Sequence, residues 1–134
     1  MRDPRIHAAL VCAARSCPPL RCEAYVAERV DEQLDDNVRE WLADPFLNRF
    51  YPAEGRAEIT PIFTWYGKDF DAYPGGLKGF IRKYAPREDV TELDHKGLET
   101  SFLNYDWGLN DQSEVGENYS RLQFAIDRVR NWFR

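Results

Sequence analysis

The sequence predicts an α+β domain with a small central sheet and helices packed around it. Residues 6–13 form a near-continuous apolar run, which is typical of a strand covered on both faces. Apolar side chains recur at helical spacing in residues 27–43 and again in residues 77–84. With 134 residues, the chain is at most one domain of ordinary size.

The other elements follow from their local sequence signals. Residues 14–26 predict a loop, because Pro18 and Pro19 cannot donate ladder hydrogen bonds. The helix over residues 27–43 is expected to stop at the Asp44–Pro45 pair. We expect the central sheet to hold residues 6–13 and 100–106. We also expect a hairpin at residues 50–60, a short helix at residues 62–66 that Thr60 and Pro61 open, and a turn at residues 73–76. A helix at residues 77–84, a strand at residues 100–107 and a terminal helix at residues 117–134 complete the prediction.

Composition excludes several function classes. The formal net charge is −5, with 18 basic and 23 acidic residues evenly mixed, which argues against nucleic-acid binding. No stretch approaches the ~18 consecutive apolar residues of a membrane span, so we expect no membrane insertion. The chain has no phosphate-binding Gly-rich loop, Gly-x-Ser-x-Gly elbow or His-Glu-x-x-His helix, and no cofactor is indicated.

Three cysteines lie close together, at positions 12, 17 and 22. Their odd number and local spacing argue against a secreted disulfide framework, while one local bridge stays open. Four residues separate each neighbouring pair, which does not match the Cys-x2-Cys spacing of zinc knuckles. We therefore expect no metal site.

Cys17 is the predicted nucleophile. It lies on a loop made rigid by two prolines, just after the predicted strand, and Arg15 and Arg21 flank it, which favours a thiolate. The alternative is an inert, half-buried loop cysteine. Cys12 and Cys22 are interpreted as structural.

His7 is the predicted proton carrier. If residues 7–13 were fully extended they would span roughly 20 Å, so His7 reaches Cys17 only if the chain turns near Cys12. The alternative is a histidine at the strand entrance that is bonded to a backbone carbonyl.

Asp106 is the predicted acid of the site. It lies between two aromatic residues, which favours a partly buried and partnered carboxylate that orients an imidazole, as in a triad. The alternative is that it caps a turn or binds backbone amides. Asp69 carries the same two interpretations, and His95 is interpreted as part of a solvated turn.

Several blocks resemble bacterial members of the domain-of-unknown-function 547 family. These blocks are residues 3–25, 34–36, 62–70, 76–84 and 105–110. The resemblance covers residues 3–110 and implies a C-terminal portion of the family domain in residues 1–110, followed by a polar linker and an amphipathic helix in residues 111–134. Family members carry a Glu-His pair upstream of this block, so the resemblance implies that this chain alone is inactive if that pair completes the site.

The family is similar to papain-like and transglutaminase-like enzymes in having a cysteine, a histidine and an acid available. The resemblance thus implies the C-terminal part of such a fold, and a cysteine-dependent hydrolase or acyl-transfer domain acting on a small-molecule or peptide substrate. The alternative is a non-catalytic interaction domain with a structural Cys-Pro-Pro loop, whose partner docks on residues 117–134. The expected location is the cytoplasm for the chain as it stands, or the periplasm or outside if a missing N-terminus carries a signal peptide.

Overall fold

The structure is a computed structural model that describes residues 3–111. The helices are α1 (Ile6–Ala9), α2 (Val30–Ala43), α3 (Ile62–Trp65), α4 (Gly67–Asp71), α5 (Gly76–Tyr84) and α6 (Arg87–Lys96). Two 3-10 turns cover Ala27–Arg29 and Pro52–Glu54. The strands are β1 (Asn48–Tyr51), β2 (Arg56–Ile59) and β3 (Glu99–Phe102). The predicted α+β class is confirmed.

The sheet has β2 at its centre. β1 and β2 form an antiparallel hairpin with Asn48 opposite Ile59, and β3 lies parallel to β2 with Glu99 opposite Arg56. The hairpin is confirmed, and Gly55 makes its turn with φ of 67°, which a glycine adopts without strain. Since parallel strands need a crossover, α3 to α6 fill the connection from β2 to β3.

The predicted strand over residues 6–13 is wrong. Asp3 and Pro4 start a turn in which Asp3 Oδ1 accepts the Arg5 N–H and the Asp3 carbonyl accepts the Ile6 N–H. One turn of helix, α1, follows, and the sheet does not include this segment. A short apolar run fits a helix as well as a strand, and here Leu10 is 71% exposed rather than covered on both faces.

The predicted helix over residues 27–43 is confirmed, as a 3-10 turn that continues into α2. Its apolar face buries Leu34, Val38, Trp41 and Leu42, whereas Val30, at its first turn, is exposed. Burial of such side chains contributes about 1.5–3 kcal/mol each, so this face fixes α2 in the domain.

An aromatic stack joins α2 to the crossover helices. The Trp41 ring stacks on Phe63 of α3 with centroids 4.8 Å apart, and Phe63 meets the edge of Phe70 of α4 at 4.7 Å. Phe70 in turn contacts Phe80 of α5 at 5.1 Å. All four rings are buried, so α3, α4 and α5 are held against α2 by one continuous apolar cluster.

Arg5 ties the N-terminal segment to α2. Its guanidinium donates to Asp31 Oδ1 at 2.7 Å and to Asp35 Oδ1 at 2.8 Å. Asp35 Oδ1 also accepts the Tyr84 hydroxyl at 2.7 Å. Burial, aided by this hydrogen bond, raises the pKa of Tyr84 to about 12, so the hydroxyl stays a donor at neutral pH. The network places α1 beside α2 and α5.

Three further expectations concern the rest of the chain. No helix in the described residues is long and apolar enough to cross a bilayer. His95 lies within α6 rather than in the expected loop. The predicted helix over residues 117–134 lies outside the described residues, as does the predicted polar linker before it apart from residue 111.

The tight turn before α5 gives a stability prediction. A Cβ added at Gly79 collides with the Pro74 carbonyl oxygen, whereas one added at Gly67 in α4 meets nothing within 4 Å. We expect Gly79→Ala to lower the free energy of unfolding by about 1–3 kcal/mol, because backbone must move to make room. Gly67→Ala is the matched control, and we expect it to be neutral or stabilising by up to ~1 kcal/mol. Urea unfolding measures both, and equal shifts in the two variants would contradict this packing.

Candidate functional site

Cys12 and Cys17 lie in one irregular segment, although Cys12 falls in the residues predicted as a strand and only Cys17 in the predicted loop over residues 14–26. Residues 10–19, here called the thiol loop, form no helix or strand apart from a single β-bridge at Ala14. One side chain of α2 holds the chain on both sides of the cysteines: Asn37 Nδ2 donates to the Ala8 carbonyl, at the end of α1, at 2.6 Å and to the Pro19 carbonyl, at the end of the thiol loop, at 3.3 Å. Asn37 is buried, and these bonds satisfy backbone oxygens that have no regular structure to pair with.

Gln33 does the same for the segment after the thiol loop. It lies one turn before Asn37 on the buried face of α2. Its Nε2 donates to the Ala24 carbonyl and its Oε1 accepts the Val26 N–H, both at 2.9 Å. Two amide side chains of α2 therefore hold the irregular chain from Ala8 to Val26.

The opposite side of the thiol loop pairs with the end of the described chain. Arg15 N–H donates to the Gly108 carbonyl at 2.9 Å, and Ser16 N–H donates to the Asp106 carbonyl at 3.2 Å. Asp106 N–H donates back to Ser16 Oγ at 2.8 Å. This pairing brings Tyr105 next to the thiols.

Cys12 and Cys17 form a thiol pair. Their Sγ atoms lie 2.6 Å apart, and the backbone N–H of Cys12 donates to Cys17 Sγ at 2.7 Å. The Tyr105 hydroxyl lies 3.8 Å from Cys12 Sγ. Cys12 is exposed, whereas Cys17 is only 6% exposed, so solvent meets the pair through Cys12.

The two thiols are electrostatically unlike. The hydrogen bond from Cys17 lowers the pKa of the Cys12 thiol, whereas burial raises the pKa of the Cys17 thiol. Burial also raises the pKa of Tyr105 far above its usual range, so its hydroxyl stays protonated beside the pair. The pair thus favours one negative charge on the exposed sulfur, with Cys17 as the proton donor.

His7 is part of a separate pair with Asp69. His7 Nε2 lies 3.0 Å from Asp69 Oδ2, and the imidazole stacks on the Tyr66 ring with centroids 4.0 Å apart. An ionised carboxylate only accepts, so Nε2–H donates and Nδ1 is the nitrogen left for other proton chemistry. With 9% exposure, the imidazole is fixed by its acid and by the ring beneath it.

The three predicted site residues are therefore placed in different contacts. Cys17 contacts Cys12, His7 contacts Asp69, and within residues 3–111 no hydrogen bond joins His7 to either thiol. Asp106 Oδ1 accepts the Gly108 N–H at 2.8 Å, and Oδ2 lies 3.7 Å from Arg15 Nη1. This is the turn-capping arrangement that was the alternative for Asp106.

Cys12 was interpreted as structural because it lies within the apolar run, and the structure places it, exposed, against Cys17. The Cys-x4-Cys spacing was the available signal, since a chain that turns between the two residues brings their thiols together. Asp69 was singled out, but nothing in the sequence joined it to His7, 62 positions away.

Exposed aromatic side chains lie beside the thiol pair. Trp65 stacks on Trp107 with centroids 5.5 Å apart, and Tyr105 contacts Trp65 at 4.8 Å and Trp107 at 4.4 Å. Trp65 is 48% exposed and Trp107 is 69% exposed. Since the Tyr105 hydroxyl lies 3.8 Å from Cys12 Sγ, this aromatic cluster adjoins the exposed thiol.

Metal ligation is not indicated by the side-chain arrangement that the structure describes. Among the side chains that the structure describes, which leave out those of residues 92 and 94–96, no group of three His, Cys, Asp or Glu converges closely enough to hold an ion. The chemistry that the described groups supply is that of a thiolate and of an oriented imidazole.

Comparison with known proteins gives one match. Residues 1–42 match the family model described as "Protein of unknown function, DUF547". The expected resemblance over residues 3–110 is thus supported as far as residue 42, a stretch that holds α1, the thiol loop and nearly all of α2. No curated protein and no solved structure matches the chain, so similarity to papain-like or transglutaminase-like enzymes has no support from these comparisons.

The Asn37 contacts predict a local effect on Cys17. In Asn37→Asp, both carbonyl oxygens lose their donor and face a carboxylate, so we expect the free energy of unfolding to fall by at least about 2 kcal/mol. Cys17 should also react faster with iodoacetamide relative to Cys22, as the thiol loop loosens.

The matched control is Asp36→Asn on the exposed side of the same helix, where we expect a change within about 0.5 kcal/mol and no change at Cys17. Unchanged protection of Cys17 in folded Asn37→Asp would show that other contacts hold the thiol loop.

Proposed function

We propose that this chain is part of a cysteine-dependent hydrolase or acyl-transfer domain in which the Cys12–Cys17 pair supplies the nucleophile. One observation carries the proposal: the exposed Cys12 sulfur lies directly against the buried Cys17 thiol, whose S–H is placed to donate to it. Such a contact stabilises a thiolate, which is the form that attacks an amide or thioester carbonyl. The papain-like or transglutaminase-like relationship belongs to this proposal and is supported only by the available Cys, His and acid.

Two sulfurs compete for the role. The sequence predicts Cys17, on the rigid loop before two prolines, and the backbone N–H that Cys12 donates to its sulfur supports an anion there. Exposure and the direction of its pKa favour Cys12 as the sulfur that meets substrate first. The cysteine that carries the acyl group after reaction, Cys12 or Cys17, identifies the nucleophile.

His7 is the proton carrier of the proposal. Its hydrogen bond to Asp69 orients the ring, as the acid of a triad does. Asp106, predicted for that role, is replaced in the proposal by Asp69. His7 does not contact either thiol in the described structure, so it forms no ion pair with the nucleophile before substrate binds. In the proposal it donates a proton to the leaving group instead.

The alternative is a non-catalytic interaction domain. It is favoured by the burial of Cys17 and by the exposed Trp65 and Trp107, which are residue types enriched at binding surfaces. It requires no thiolate and no acylation. The two experiments below separate it from the enzyme.

The first experiment is the pH profile of iodoacetamide alkylation at each cysteine, with Cys22 as internal reference. We expect Cys12 to react with a midpoint below the usual ~8.5 of a thiol. In Cys17→Ala the midpoint should rise, because the hydrogen-bond donor is gone. In His7→Gln it should stay unchanged, because no hydrogen bond joins the imidazole to the pair. A rise in His7→Gln would indicate a papain-type thiolate–imidazolium pair instead.

The second experiment is acylation by p-nitrophenyl acetate, which needs only the nucleophile and not turnover. Trypsin cleaves after Arg15, Arg21 and Arg29, so the three cysteines fall on the separate peptides 6–15, 16–21 and 22–29. We expect a thioester on the pair to form faster than on Cys22 at neutral pH, by about threefold per unit of lowered pKa, since lower nucleophilicity partly offsets a tenfold gain in thiolate. Equal acetylation of all three cysteines would favour the interaction domain.

A further inference from the structure

We propose that Cys12 and Cys17 form a thiol–disulfide exchange site, in which Cys12 attacks a low-molecular-weight disulfide and Cys17 resolves the product into an internal disulfide. This inference is separate from acyl transfer and does not depend on it. It requires two thiols that differ in access and lie within bonding reach of each other, and the described structure shows both.

The distance between the sulfurs meets the second requirement. At 2.6 Å, the Sγ atoms need only a small further approach to reach the ~2.05 Å of a covalent bond. The chain turns tightly enough for this, because Cys17 N–H donates to the Ala14 carbonyl at 3.1 Å. Pro18 and Pro19, both buried, restrict the backbone directly after Cys17 and hold its side chain against Cys12.

The difference in access assigns the two roles. Cys12 is exposed and can be reached by a disulfide in solution, whereas Cys17 is buried behind it. The lowered pKa of Cys12 supports its role as the attacking thiolate. The protonated Tyr105 hydroxyl, 3.8 Å from Cys12 Sγ, adds a second polar contact on the exposed side.

The exchange balances in two steps. The Cys12 thiolate attacks one sulfur of a disulfide RSSR, a Cys12–SR bond forms, and RS⁻ leaves. Cys17 then gives its proton to that RS⁻, and its thiolate attacks Cys12 Sγ, which breaks the mixed disulfide, forms the Cys12–Cys17 bond and releases a second RS⁻. This second thiolate takes from solvent the proton that Cys12 lost when it ionised. In sum, the protein dithiol is oxidised to a disulfide and one RSSR is reduced to two RSH. Both sulfurs are then unable to act as nucleophiles.

The test treats the reduced chain with glutathione disulfide at neutral pH and reads the products by mass after acid quench and alkylation. We expect a chain lighter by two hydrogens, with peptides 6–15 and 16–21 linked and Cys22 free to be alkylated. In Cys17→Ala, a mixed glutathione disulfide should accumulate on Cys12, because nothing resolves it. In Cys12→Ser, the modification of Cys17 should slow to below that of Cys22.

The matched control is Cys22→Ala, which should form the internal disulfide at the wild-type rate. Urea unfolding of each variant before treatment identifies any variant that fails to fold. If one does, the wild type and Cys22→Ala still show whether Cys12 and Cys17 become linked. Stable glutathione on Cys12 of the wild type, or a link from Cys22 to either other cysteine, would overturn the proposal. The test measures disulfide formation and does not require acyl transfer. A chain that forms the internal disulfide but is not acylated would therefore contradict only the acyl-transfer function.

Discussion

The arrangement of the site depends on two hydrogen bonds that the buried side-chain amide of Asn37 donates. The thiol loop has almost no secondary structure of its own, so the carbonyls on both sides of the cysteines need donors from elsewhere, and Asn37 supplies both. That amide has a fixed position only because α2 is fixed, and α2 is fixed by the stack of Trp41 on Phe63 and the rings behind it. The position of the thiol loop at the surface therefore depends on a helix whose side chains mainly fill the core.

The parts of the fold that the sequence predicted are those decided by local contacts. The apolar stripe of α2, the turn at Gly55 and the stripe of α5 each lie within one segment, and all three elements are confirmed. The segment over residues 6–13 was misassigned because its apolar character does not define a period. The hydrogen bonds that decide it come from the Asp3–Pro4 turn before it. The parallel pairing of β2 with β3 depends on a crossover of four helices, which no local pattern specifies.

The sequence indicated which residues to consider for the site, but it did not indicate how they are arranged in space. Cys17 and His7 were singled out, but exposure is a tertiary property: Cys12, interpreted as structural, is exposed, and Cys17, the predicted nucleophile, is buried. The extended-strand distance that separated His7 from Cys17 no longer applies, since the chain turns after α1. His7 nevertheless pairs with Asp69, from α4. Which carboxylate meets an imidazole depends on how α3 and α4 dock, and that is decided by Phe63 and Phe70 in the core.

The pairing of Ser16 with Asp106 joins residues that are 90 positions apart. Closing so long a loop is entropically costly until the intervening chain has folded, so this contact forms late in folding, after the hairpin and α2. The hydrogen bond from Asp106 N–H to Ser16 Oγ lies at the surface, whereas the rings of the aromatic stack are buried. In hydrogen-exchange terms, we expect the Asp106 amide to exchange through local opening while the aromatic core stays closed. Such an opening would free one side of the thiol loop, and the Asn37 contacts would still hold the other.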